Sequence, residues 1–521
     1  MADAQMISLT IEGRPTQVAA GTSILEAAKT VGVLIPHYCY HPGLPVAGVC
    51  RMCLVEVEKA PKLAPACATA VADGQIVHVH SEKALEARKG VLEMLLINHP
   101  LDCPICDQAG ECELQDYTYK EGRAEGRYRE PKRFNPVEDF GGDVVYVANR
   151  CILCTRCVRF MDTMAQDPVL NVSERGDRAL IGKFEGQDLT HAWAGNVIDL
   201  CPVGALLSKD SLNKARAWEL DRSASVCPSC TQGCNMIVET RDQQVVRLRP
   251  RSNEAVNQYF MCDTGRLGYR WLNRQDRIVD PMIRRSGSHV RADWEEALAA
   301  AAALLQGKRA HVVASPMLSN EALFLLQRLA AKTGGVGRFT VPQGPEAPLP
   351  GVEDLALRAD RAANVRGAEL LGFERAANPL AGLGAGDVLV IADEELVGLE
   401  VPPLSAETSI IVVGTALPAW AGQADVVLPI ANMSEEEGTF TNLRGRVQRF
   451  LQAKQAPGFA RPSWYVLGDL LAALGEGKGY FLAADAFAAL ATANPEFATL
   501  NYDKLGLKGG SIAGAMAEVG G

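Results

Sequence analysis

All fifteen cysteines of this 521-residue chain lie between Cys39 and Cys262, and none follows. No other feature of the sequence constrains its fold as strongly. A chain whose thiols stay reduced uses C-x2-C pairs for metal rather than for disulfides. Residues up to 262 therefore read as a metal-binding half, and the remainder as a half of another kind. A chain of this length exceeds one ordinary core, so two to four domains are expected. Hydrophobic residues at 48% and charged residues at 22% are a globular composition, and a formal charge of -10 argues against a nucleic-acid backbone as partner. The start, "MADAQMISLTIEG", has no basic region followed by an apolar core. No later run approaches the roughly 18 apolar residues of a membrane span. The expectation is a soluble cytoplasmic protein that reaches any membrane through partners.

Two short alternating strands around Gly13-Arg14, a helix opened by a Ser23/Glu26 capping box, and strands at 52–58 and 76–80 suit a ferredoxin-like β-grasp domain. A second helix is predicted over 82–98, stopped by Pro100, with Leu85, Leu92, Leu95, Leu96 and His99 on one inward face. Residues 121–140 are charged and proline-bearing, as a linker or surface wrap would be. From about 277, apolar runs at 310–315, 387–393 and 409–415 alternate with helical segments, which predicts α/β structure with a parallel sheet. An alanine-rich helix and a glycine-containing tail close the chain. The expected division is 1–80, a 2Fe-2S ferredoxin-like domain; 81–140, a segment with one histidine and three cysteines plus a linker; 141–220, a 4Fe-4S ferredoxin-like domain; 221–276, a further cysteine domain; and 277–521, the α/β domain and tail.

The cysteines fall into groups. Cys39, Cys50, Cys53 and Cys67 are spaced C-x10-C-x2-C-x13-C in a glycine- and proline-rich setting, which suits a 2Fe-2S cluster, with a four-cysteine zinc site as the alternative. Cys103, Cys106 and Cys112 lack a fourth ligand, and His99 is the nearest candidate. Otherwise His99 is a helix-ending residue suited to the negative end of the helix dipole; a zinc site of three cysteines and one histidine is the chemical rival. "CILCTRC" supplies Cys151, Cys154 and Cys157, and Cys201-Pro202 completes a pattern similar to the bacterial ferredoxin run. Cys227, Cys230, Cys234 and Cys262 form the fourth set, where zinc competes more evenly. With His99 the ligands come to four sets of four.

Several clusters in one chain most simply form an electron wire. An imidazole in place of a thiolate removes a negative charge and favours the reduced state. "GLGAGD" (382–387) lacks the spacing of a dinucleotide fingerprint, so electrons are expected from another subunit.

The four sets in this order, above all "NHPLDCPICDQAGECELQD", "CILCTRCVRF" and "NVIDLCPVGAL", resemble the large iron-sulfur subunit (the G subunit, 75 kDa type) of bacterial NADH:quinone oxidoreductase, respiratory complex I. The resemblance implies one 2Fe-2S cluster on the first set and three 4Fe-4S clusters on the others. It implies electron transfer from a flavin/NADH-binding subunit towards quinone, with other iron-sulfur subunits and the membrane arm as partners. The place implied is peripheral, on the cytoplasmic side of the inner (plasma) membrane. The fourth cluster would lie off the main path. "ADVVLPIANMSEEEGTFTNLRGRVQ" (424–448) resembles the molybdopterin oxidoreductases. The domain is short and no cysteine follows Cys262, so a degenerate scaffold without molybdenum is expected, and no catalytic residue of its own. The fold class is therefore multidomain α+β and α/β. Competing readings are an iron-sulfur subunit of an NAD-linked formate dehydrogenase or hydrogenase complex, and a zinc-bound structural scaffold.

Overall fold

The computed structural model describes residues 5–393, 404–405, 407–418 and 421–514. The extreme N-terminus and the glycine-containing tail at 515–521 lie outside the described residues. The chain divides into two compact units, residues 1–219 with 349–353, and residues 220–348 with 354–521.

The first unit opens on a hairpin of β1 (Met6–Ile11) and β2 (Arg14–Ala19). Glu12 and Gly13 both take positive φ, 47° and 72°, as a two-residue hairpin turn requires. Ile7, Leu9 and Ile11 alternate inward, and the helix α1 (Ile24–Thr30) buries Ile24, Leu25, Ala27 and Ala28 against them. Strands β3 (Leu54–Val57), β4 (Ala64–Pro65) and β5 (Gln75–His78) complete a sheet of order β2-β1-β5-β3-β4, with β1 and β5 parallel. Cys53 and Cys67 belong to this core. The predicted capping box forms only in part. Ser23 accepts from the Glu26 amide at 3.2 Å, but the Glu26 carboxylate instead takes the Lys29 ammonium and the Tyr40 hydroxyl.

Helix α2 (Glu82–Leu96) is capped by Ser81 and ends two residues before the expected Asn98. It buries Ala84, Arg88 and Leu92, one residue per turn. Arg88 is fully buried, donating to the Val79 carbonyl at 2.6 Å and pairing with Glu121 on α3 (Glu113–Glu121) at 3.2 Å. It thereby ties the β-grasp domain to the segment carrying Cys103, Cys106 and Cys112. A three-stranded antiparallel sheet (137–141, 144–147 and 206–208) follows, and a single turn α4 (Arg156–Arg159) leads out of the cysteine triplet.

In the second unit, strands 221–226, 235–241 and 244–250 form an antiparallel sheet whose ends carry Cys227 and Cys234. Beyond it lies an eight-stranded sheet ordered 288–291, 282–285, 426–429, 409–414, 388–393, 310–314, 336–339, 374–375. The six strands from 426–429 onward are parallel, with Val390 opposite both Val312 and Ile411. Val388–Ala392 and Ile410–Val413 are buried throughout, because hydrophobic clusters cover both faces. The expected parallel sheet is therefore present, and helices Trp294–Leu305, Asn320–Lys332, Ser463–Ala473 and Ala483–Ala493 pack in the larger cluster.

Candidate metal centres

The first set is gathered at the edge of the β-grasp core. Cys39, Cys53 and Cys67 are buried and Cys50 half-buried. The Cys39 amide donates to Cys50 Sγ at 3.4 Å. Thiols of Cys50 and Cys67 donate to Cys39, drawing it far below the usual thiol range, while Cys67 brings Cys53 down to about 7. The same contacts raise Cys50 and Cys67, the donating thiols, so the negative charge is drawn to Cys39.

In the second set Cys106 is buried, Cys112 half-buried and Cys103 exposed. Burial raises the Cys106 thiol and pushes Cys112 up to about 11; Cys106 lies in the field of Cys103, and Cys112 in that of Cys106 and Cys103. The Gln108 amide reaches Cys106, and the Leu114 and Gln115 amides at the start of α3 reach Cys112. Gly204 closes over this loop, where a Cβ would stand 2.3 Å from Cys106 Sγ. His99 sits three residues beyond α2 rather than on its inward face, since the helix stops at Leu96. Its Nδ1 is nevertheless buried with no hydrogen-bond partner. Burial, with Lys132 and Arg150 nearby, holds its pKa down to about 4, so the ring is neutral at pH 7, as a metal ligand must be. The Arg150 field acts on both His99 and Cys106, placing the two in one neighbourhood.

In the third set Cys154 and Cys157 are buried, and Cys151 and Cys201 half-buried. Burial pushes Cys151 and Cys201 up to about 11 and Cys154 up to about 12. Leu153 and Thr155, between the cysteines, both take left-handed backbone, φ 54° and 58°. Such residues are costly and concentrate at functional turns; here the turn lets the Leu153 amide donate to Cys151 Sγ at 3.3 Å. Amides of Val203, Ala205 and Leu206 face Cys201. The Tyr146 hydroxyl donates to Cys151.

All four cysteines of the last set are buried. Cys227 is pushed up to about 12 by burial, against the Ser229 amide and hydroxyl that favour its thiolate. Gly265 donates its amide to Cys262 Sγ at 3.4 Å, and a Cβ there would lie 2.9 Å from Cys227 Sγ. The glycine is thus a close-approach point between two sulfurs.

Most of these thiols are raised by burial while backbone amides point at their sulfurs. That donor set fits metal-bound thiolate, which amides stabilise and a desolvated free thiolate would lack. Among the described residues, no three His, Cys, Asp or Glu side chains are drawn closely enough together to hold a single metal ion. The spacing did not announce the left-handed residues or the two crowded glycines. The signal that could have found the latter is "CPVGAL" and "CDTGRL", where a glycine stands three residues after a cysteine.

In the second unit a cavity of about 540 Å³ opens at the carboxyl ends of strands 310–314, 336–339 and 388–393, beside Pro228 and Ser229. Its described lining is largely apolar and includes no cysteine, histidine or carboxylate. Its single guanidinium, Arg361, already donates to the Arg358 and Pro345 carbonyls. The oxygen donors on the side chains of this lining are the hydroxyls of Ser229, Ser315 and Thr340.

Comparison with known proteins agrees with this layout. Residues 4–82 match the family model of a 2Fe-2S iron-sulfur cluster binding domain. Residues 88–127 match the NADH-ubiquinone oxidoreductase-G iron-sulfur binding region, and 141–207 the ferredoxin-like domain of NADH-quinone oxidoreductase subunit 3. Residues 221–274 match the molybdopterin oxidoreductase Fe4S4 domain, and 277–364 with 386–473 the molybdopterin oxidoreductase family. The G subunit of NADH-quinone oxidoreductase from Rickettsia bellii is 41% identical over 332 residues, 63% of this chain and 49% of that protein. The mitochondrial 78 kDa subunit of NADH-ubiquinone oxidoreductase from Candida albicans is 42% identical over 335 residues, 63% of this chain and 46% of that protein. The corresponding Neurospora crassa subunit is 41% identical over 355 residues, 67% of this chain and 48% of that protein. The chain thus spans about half the length of the curated relatives it matches. A solved structure of an NAD+-reducing nickel-iron hydrogenase in its H2-reduced state aligns with 40% of this chain and 90% of its own, at 29% identity and a TM-score of 0.37. With iron-sulfur domains matched along its first half and these relatives above 40% identity, the chain is a homologue of the G subunit of NADH-quinone oxidoreductase.

Proposed function

We propose that this chain is an electron-transfer subunit of an NADH:quinone oxidoreductase, passing electrons from a flavin/NADH-binding subunit through iron-sulfur clusters towards quinone. The carrying observation is that four separate sets of thiols, each provided with its own backbone amide donors, share one chain. Cys39, Cys50, Cys53 and Cys67 would hold a 2Fe-2S cluster. His99 with Cys103, Cys106 and Cys112, Cys151 with Cys154, Cys157 and Cys201, and Cys227 with Cys230, Cys234 and Cys262 would each hold a 4Fe-4S cluster. When bound, each cluster supplies a one-electron site whose potential follows from charge, burial and hydrogen bonding. The chain's own work is to keep thiolates desolvated, to aim amides at their sulfurs, and in His99 to present a neutral imidazole. The division at about residues 80, 140, 220 and 276 then separates one cluster-bearing module from the next, with the α/β domain as a scaffold without molybdenum.

No helix among the described residues is long and apolar enough to cross a membrane. Attachment would therefore run through other iron-sulfur subunits and a membrane arm, on the cytoplasmic side of the inner membrane. The test is iron and zinc analysis of the full chain with electron paramagnetic resonance after reduction. About fourteen irons, one 2Fe-2S and three 4Fe-4S clusters, are expected. Zinc in place of iron establishes the structural scaffold instead.

A further inference from the structure

Three arginines lie within or beside the third cysteine set, at positions 150, 156 and 159, and each reaches a different part of the first unit. Arg150 pairs with Asp102 at 2.9 Å, and Arg156 pairs with Glu113 at 3.4 Å. Arg159 differs, because it has no carboxylate partner among the described residues. Its guanidinium spends its donors on neutral oxygens. Nη2 donates to the Cys39 carbonyl and, at 3.3 Å, to the Cys154 carbonyl; Nη1 donates to the Pro45 carbonyl; Nε donates to Thr155 Oγ1 at 3.4 Å.

Cys39 belongs to the first set and Cys154 to the third, so one planar cation clamps the ligand loops of two sites. The side chain is half-buried, and its electrostatic neighbours are Cys154, Cys39 and Cys157, besides Arg156. A partly desolvated guanidinium that contacts only carbonyls and a hydroxyl leaves its charge uncompensated, which is unfavourable unless an anion lies close by. Thiolate-ligated clusters are such anions, carrying about two negative units oxidised and three reduced. Each gains a negative unit on reduction, so a fixed cation between them favours the reduced form of both.

We propose that Arg159 is a shared charge-setting residue for the Cys39 and Cys154 clusters, raising the midpoint potentials of both.

The proposal rests on the iron-sulfur reading, and the test separates the two. Potentiometric titration followed by electron paramagnetic resonance is run on the full chain with its clusters, as wild type, R159Q and R159K. Absence of iron signals from the wild type refutes the iron-sulfur reading. With those signals present, R159Q should shift the reduced-to-oxidised ratio of the 2Fe-2S cluster and of the third cluster about tenfold towards oxidised at a given potential, about 59 mV for a one-electron couple. R159K, which keeps the charge, should restore both. An unmoved midpoint at either site in R159Q overturns the proposal. Should R159Q lose its clusters, R159K carries the decision. Wild-type midpoints at both sites then support a requirement for charge. Lost clusters or a fall at either site in R159K show that the forked carbonyl contacts are what the loops need, and overturn it.

Discussion

Gly204 offers the sharpest steric test of the second centre. Its backbone is outside the left-handed region, so alanine meets no torsional objection there. The obstacle is Cys106, whose sulfur would stand 2.3 Å from an added Cβ, with Gln108 Cβ at 3.1 Å. Ordinary contact begins at 3.4 Å, so the sulfur or its loop must retreat by about 1 Å. Overpacking of that kind costs about 1–3 kcal/mol even without metal, while metal–ligand distances tolerate only about 0.2 Å. Purified G204A should therefore carry about four fewer irons than wild type, one 4Fe-4S cluster. The resonance of that cluster should be missing, and the signals of the first and fourth centres should remain. G90A is the control. Gly90 lies within α2, a Cβ there meets nothing within 4 Å, and alanine is the better helix former. Wild-type iron content and an unchanged second-cluster signal in G204A would refute the claim that Cys106 Sγ has to occupy that space.

His99→Cys should lower the midpoint potential of the second cluster, because a thiolate adds negative charge where a neutral imidazole stood; an unchanged redox titration means His99 is no ligand. Arg277 grips Glu435 with both forks, at 2.6 and 2.7 Å, and the two side chains are 5% and 1% exposed. Arg277→Met leaves Glu435 with Lys454 at 3.4 Å, and should cost about 3–5 kcal/mol in urea unfolding of the second unit without loss of iron; a change below about 1 kcal/mol refutes it. Burial pushes Glu321 up to about 7 and Glu436 up to about 8. Folded carboxyls with raised pKa hold protons that the unfolded chain releases near 4.5, so this contribution is complete below about pH 4.5 and is lost as pH rises towards 7 and 8. E321Q and E436Q, isosteric and neutral at every pH, should flatten the fall in urea midpoint between pH 5 and 8 that the wild type shows. An equally steep fall in both variants would remove these carboxyls as its source.

What the sequence discloses is local in range. The candidate ligand sets were legible because in three of the four, three cysteines sit within ten residues of one another, and the parallel strands because burial on both faces demands apolar runs such as "VLVIA" and "IIVV". His99 was reached by two arguments, of which the structure overturns one. Ligand counting singled it out, but the helical face that was to turn it inward ends at Leu96, and the buried Nδ1 results from the loop that follows. Arg88, three residues after Leu85 and four before Leu92, falls on the predicted inward face, but that a guanidinium is fully buried there depends on Val79, Leu54 and Glu121, its partners elsewhere in the fold. Arg159 is more remote still, 120 residues from the Cys39 carbonyl it holds. Glu321 and Glu436 carry no local sign of burial, yet they meet Thr439 and Ser463 in the interior. In each case the residue type is visible in the sequence, while its charge state and its partner are set by the fold. Candidate ligands can therefore be proposed from spacing, but the groups that would set a cluster's potential have to be read from structure.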